Sequence, residues 1–222
     1  MRLREVAGRT TSSGLGLVAA SAAAFLLTLG QSRLLSPALF GAVAVALTWP
    51  TIGSQVAQMG FLRASTKIVA TTRAAEDPAT LKSFLLFAFG VATIGSLLGA
   101  ALFVWVIPAD ELVENPAIPV GALVAALVWP MAICRVASGV LLGERRNFLG
   151  SFAQTGLPSL GILGGFLVFA LLPGSEDGSG ISRALAGGAF AAAAIGLGLV
   201  AWQARDAWQA KRAGFRPREW LA

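Results

Sequence analysis

The chain has no histidine and a single cysteine, Cys134. One thiol cannot close an intrachain disulfide, and a zinc site without imidazole or paired thiolates lacks its usual ligands. Acids are also scarce. There are eleven carboxylates in 222 residues, and none falls inside a long apolar run. With no buried acid, no histidine and no nucleophile beside a base, no catalytic constellation emerges. The expectation is a non-enzyme that uses neither metal nor cofactor.

What is present is mostly apolar. Hydrophobic residues make up 56% of the chain, charged residues 13%, and the mean hydropathy is +0.74. A water-soluble domain cannot hide that much apolar surface, and several segments exceed eighteen residues with few or no charges. The sequence therefore reads as all-α, a polytopic membrane bundle of six transmembrane helices whose first partner is the lipid bilayer. The spans are expected at about 12–30, 40–62, 83–107, 118–142, 149–172 and 183–203. A basic amphipathic tail at 204–222 follows, suited to an anionic membrane surface or to a linker between lobes. Met1 to Thr11, with Arg2, Arg4 and Arg9, looks like the start of a signal peptide. The apolar run after it is long and lacks a cleavage site, so it reads as a retained first span.

The connections alternate in charge. Gln31 to Leu39 is a short turn around Ser36-Pro37. A basic loop carries Arg63, Lys67, Arg73 and Lys82 and turns at Glu76-Asp77-Pro78. Pro108 to Pro119 is acidic, Glu144 to Asn147 is a tight basic turn, and Gly174 to Ser182 is polar. Fourteen of the seventeen lysines and arginines fall on one side, only Arg33 and Arg183 on the other, and Arg135 lies within a span. By the positive-inside rule both termini are expected in the cytoplasm. The net charge of +6 is thereby read as topology rather than as a nucleic-acid footprint.

Arg135 is the exception around which function can be sought. It sits between the apolar stretches Ala122–Val128 and Val136–Leu142, and a guanidinium at that depth costs about 2.5–3.5 kcal/mol on insertion scales. Either it faces a bundle interior or water-filled cavity, or it snorkels to headgroups about two turns away. The span repeats an earlier one. Gly41-Ala42, Trp49-Pro50 and Val56-Ala57 recur at a constant offset as Gly121-Ala122, Trp129-Pro130 and Val136-Ala137. Gln55 stands where the later copy has Arg135. Thr48, Thr51, Gln55 and Gln58 share one helical face of the second span. On the fifth, Ser151, Gln154 or Thr155, and Ser159 do the same. With Arg135, Ser138 and Asn147 they could line one polar cavity, or they could bond only between helices. Pro50, Pro130 and Pro158 permit kinks. Gly95/Gly99 and Gly161/Gly165 have the spacing of close helix contacts.

The stretch Arg33-Leu34-Leu35-Ser36-Pro37-Ala38-Leu39-Phe40-Gly41 resembles the first-to-second span turn of polysaccharide and O-antigen flippases. Those belong to the multidrug/oligosaccharidyl-lipid/polysaccharide exporter superfamily (MATE-like flippases). Ser36 stands where their pattern has Gly. Arg135 with Leu141 to Arg146 is similar to their fourth-span end. The resemblance implies one amino-terminal, six-span lobe in a bacterial inner membrane, completed by a second lobe or a homodimer partner. It implies transport of polyprenyl-pyrophosphate-linked oligosaccharide, with Arg33 and Arg135 as cations for the pyrophosphate. Thr51, Gln55, Gln58 and Gln154, from the helical faces described above, are the expected polar substrate-binding lining beside them. Two alternatives remain open: a multidrug or cation antiporter, which needs a membrane-embedded carboxylate, and a non-transporting scaffold of a polysaccharide assembly.

Overall fold

The computed structural model describes residues 3–58, 60–106, 120–171 and 178–210. Among them every regular element is a helix: α1 (Leu3–Leu34), α2 (Pro37–Ala57), α3 (Phe61–Ala74), α4 (Pro78–Val106), α5 (Val120–Gly143), α6 (Asn147–Leu171), α7 (Gly178–Gln203) and α8 (Arg205–Gln209). Six of these, α1, α2, α4, α5, α6 and α7, are long and apolar enough to cross a membrane. The protein is a polytopic membrane bundle. The acidic connection at 108–119 and the tail beyond residue 210, with Phe215 and Trp220, lie outside the described residues.

Helix ends follow from local chemistry. Ser36 caps α2 by accepting from the Leu39 amide, and Pro37 occupies the first position, where no N–H is needed. Asp77 caps α4 through the Thr80 amide at 3.0 Å and the Thr80 hydroxyl at 2.6 Å, again with a proline next. Two helices end in Schellman turns. After α3 the Asp77 amide reaches the Thr72 carbonyl, with Glu76 at φ 52; after α5 the Arg146 amide reaches the Leu141 carbonyl, with Arg145 at φ 61.

Helix α5 is the axis of the bundle. It touches α2, α3, α4, α6 and α7. Of its apolar window 72% is buried, against 39% or less in the other five spans. Helix α1 packs on α6, and α6 on α7. Glycines set these last approaches. A Cβ on Gly161, Gly165 or Gly188 would collide with backbone across the α6–α7 contact, and one on Gly16 would meet the Phe148 carbonyl of α6 at 2.7 Å. Gly95 is equally tight against the Ala57 carbonyl, whereas a Cβ on Gly99 meets nothing within 4 Å. The packing role expected of that glycine pair thus belongs to Gly95 alone.

Helices α2 and α5 run side by side in the same direction. Gly53 faces Val128, and Thr51 Oγ1 lies 3.9 Å from Met131 Sδ, the residue exactly one repeat later. The two Trp-Pro segments are therefore in contact. Trp49 packs on Phe103 of α4, while Trp129 stacks on Phe190 of α7 and donates to Thr93 Oγ1 at 3.1 Å.

Three expectations need correction. The second span does not run unbroken to residue 62: α2 stops at Ala57, and Gly60 takes φ +80 before α3 begins. The interruption falls at this glycine and not at Pro50, Pro130 or Pro158, each of which sits within a helix. Residues 63–74 are not a loop. They belong to α3, whose apolar positions Phe61 and Val69, with Ser65 between, bury one face, while Arg63 and Lys67 stay exposed on the other. Nor does Arg33 lie in a turn; it occupies the last turn of α1.

Candidate functional site

Arg135 lies eight residues before the end of α5, about 12 Å along the axis. Its residue exposure is 9%. Nε donates to Ser54 Oγ at 3.1 Å, and that hydroxyl donates in turn to the Thr51 carbonyl at 3.0 Å. Ser54 is completely buried. A guanidinium has five N–H donors, and the bond to Ser54 uses one. Among the described residues no carboxylate forms an ion pair with it.

Its side chain also borders a cleft of ≈ 140 Å³. Arg135 and Met131 of α5, Thr51 of α2, and Gln154, Thr155 and Ser159 of α6 are among its lining residues. Leu27 of α1 and Leu47 of α2 add apolar wall. The cleft lies where α1 and α2 part: α1 leans on α6 and α2 on α5, with little contact between the two. Pro158 also lines it. A proline has no N–H, so the Gln154 carbonyl loses its i+4 donor and adds an acceptor to this polar neighbourhood. The chemistry on offer is one fixed cation, hydroxyls and an amide in an otherwise apolar surround, a set that suits an anionic, hydrogen-bonding group.

The structure brings three of the six expected site residues together: Thr51, Arg135 and Gln154. The other three do not line the cleft. Arg33 is exposed at the end of α1. Gln55 is exposed on α2, one position beyond Ser54. Gln58 is buried just past the α2 terminus, and its Oε1 has no hydrogen-bond partner. Ser138, another cavity candidate, is spent between helices, donating to the Gly150 carbonyl at 2.7 Å. Ser54 was missed. It lies three residues after Thr51, on the same face of α2, and that spacing was the available signal.

A second polar cluster forms just past the C-terminal, basic end of α5, the end nearer to Arg135. Arg73 of α3 donates from Nε to Glu144 at 2.7 Å and pairs with Asp206 of α8. Its Nη2 also reaches the Gln203 carbonyl at 3.1 Å. The hydrogen bond from Arg73 holds the Asp206 carboxyl below its usual range, and the same bond raises the guanidinium. Lys82 donates to the carbonyls of Trp208 and Ala210 at 3.3 and 3.2 Å, which fixes the C-terminal end of α8. Among the described residues no group of His, Cys, Asp and Glu could hold a metal.

No family model, no curated protein and no solved structure matches this chain.

Proposed function

We propose that the chain is a transporter lobe that helps move an anionic, polyprenyl-pyrophosphate-linked oligosaccharide across a bacterial inner membrane by alternating access, with both termini cytoplasmic. One observation carries this reading: Arg135 stands within a membrane span, without a carboxylate, on the wall of a polar cleft. A cation kept at that depth without an acid partner marks a substrate or ion path. Planar guanidinium geometry matches phosphate oxygens in pairs, which an ammonium meets only as a point charge. The resemblance around Arg33 and the fourth-span end supports the same reading.

The cleft is small. At ≈ 140 Å³ it holds about four or five waters. That volume takes an anionic head and not an oligosaccharide, so the glycan must lie in space completed by a second lobe or a second copy. An antiporter is disfavoured because, among the described residues, no carboxylate lines the cleft. A scaffold would gain nothing from an unneutralised buried cation.

Surface-glycan export by the complete two-lobe protein tests the proposal. Arg135→Ala should lose nearly all export and Arg135→Lys part of it, at unchanged protein level. Full export by Arg135→Ala would leave Arg135 a topological anchor and sink the reading.

A further inference from the structure

On another part of the surface, helices α4 and α7 stand apart and leave an apolar groove of ≈ 470 Å³. Leu86, Phe89, Gly90 and Ile94 of α4, Leu197 of α7 and Trp208 of α8 are among its lining residues. Among the described residues it shares no lining residue with the Arg135 cleft. The geometry points to this groove as a binding site for one acyl chain of an anionic phospholipid, its headgroup at the basic end beside Arg205 and Lys82.

Four features select that occupant. The first is length. Leu85 and Ile94 are nine helical steps apart, about 14 Å, which matches one leaflet of a hydrocarbon core about 30 Å thick. The second is depth. The groove begins within one turn of Lys82 and runs into the apolar span, where the surrounding medium is lipid. The third is the floor at the basic end. Trp208, an indole of the kind that settles at headgroup level, lines the groove there. The fourth is charge. Arg205 lies three residues before Trp208, on the same side of α8, and is exposed. Lys82 uses two of its three donors on carbonyls and keeps one. Asp206, the nearby acid, is engaged by Arg73.

Gly90 makes the site testable. Gly90 lines the groove and a Cβ there meets nothing within 4 Å, so a side chain can be started at this position and is expected to project into the groove. Gly99 is equally open but lies outside the groove and serves as control. The full chain, released from detergent micelles into a native mass spectrometer, is titrated with phosphatidylglycerol and with phosphatidylcholine. Wild type and Gly99→Leu should retain one phosphatidylglycerol in preference to phosphatidylcholine. Gly90→Phe should lose that retention, and so should Trp208→Ala, which removes a wall without crowding the fold. Arg205→Ala should weaken phosphatidylglycerol retention about fivefold, as expected for one cation near a charged headgroup. The proposal fails if Gly90→Phe and Trp208→Ala retain phosphatidylglycerol like wild type, or if the two lipids are held equally. Preferential displacement of phosphatidylglycerol by an isoprenoid phosphate would also overturn it, by giving the groove to another lipid.

Discussion

Two arginines, both toward the C-terminal end of one helix, live under opposite conditions. Arg73, at the basic end of α5, is partly exposed and has two carboxylates and a backbone carbonyl as partners. Arg135, within the span, is 9% exposed and has one serine. Electrostatics alone would assign the acids the other way round, since an unpaired charge is cheap in water and expensive in a low-dielectric interior. The arrangement separates two uses of the same side chain. At Arg73 the donors are consumed in joining α3, the end of α5 and α8, and the residue serves the fold. At Arg135 most donors are left for whatever fills the cleft, and the residue is held ready at a cost in stability.

The sharpest way to break this contrast is to give Arg135 an acid. Ser54→Asp places a carboxylate at the position that now accepts from Nε. The pair should form and the chain should stay folded. Glycan export should fall as far as with Arg135→Ala, because the cation is then neutralised before any substrate arrives. Normal export by Ser54→Asp would show that the free guanidinium is idle.

A smaller effect separates the two residues by stability. Replacing a buried ion with an apolar side chain of similar length is often neutral or stabilising. Arg135→Met should therefore unfold in detergent within about 1 kcal/mol of wild type, or above it. Arg73→Met strands Glu144, whose side chain is only 11% exposed, and should cost about 1–3 kcal/mol. Equal losses in the two variants would erase the distinction.

The smallest effect is on pH. Asp206 is held below its ordinary range by Arg73. Its contribution is fully present above the unfolded carboxylate value of about 3.9 and is lost as pH falls through the lower folded value. Thermal stability should hold from neutrality down to about pH 4 and then decline. Asp206→Asn should flatten that acid limb while changing stability at neutral pH by less than about 1 kcal/mol, because the carboxylate is more than half exposed. An unchanged acid limb in Asp206→Asn would assign the decline to other acids.

The six spans were legible because long apolar runs between charged connections admit little else in a chain of this composition. The identity of α3 was obscured by its cations. Arg63, Lys67 and Arg73 marked the segment as loop, although Phe61, Ser65 and Val69 recur at four-residue intervals and define a buried helical face. Helix α1 outruns its apolar core because nothing in Gln31 to Leu34 stops a helix; the stop is Ser36-Pro37. That extension carries Arg33 past the cleft. At the site, Arg135 and the Thr51 and Gln154 faces could be read from spacing and depth. Ser54 could not be ranked above Gln55 without knowing the rotation of α2 about its axis. That rotation is set by Gly53 against Val128 and by Ala57 against Gly95, contacts between residues far apart in the sequence.

The glycine contacts across α1, α6 and α7 have a mechanical result. Where backbone meets backbone with no side chain between, there is no rotamer to flip and no methyl to slide past its neighbour. These three helices make a stiff plate. By contrast α2 meets α3 at a left-handed glycine and barely touches α1. Gln154, Thr155 and Ser159 ride on that plate, so their spacing along one wall of the cleft is fixed by backbone contacts rather than by side-chain rotamers.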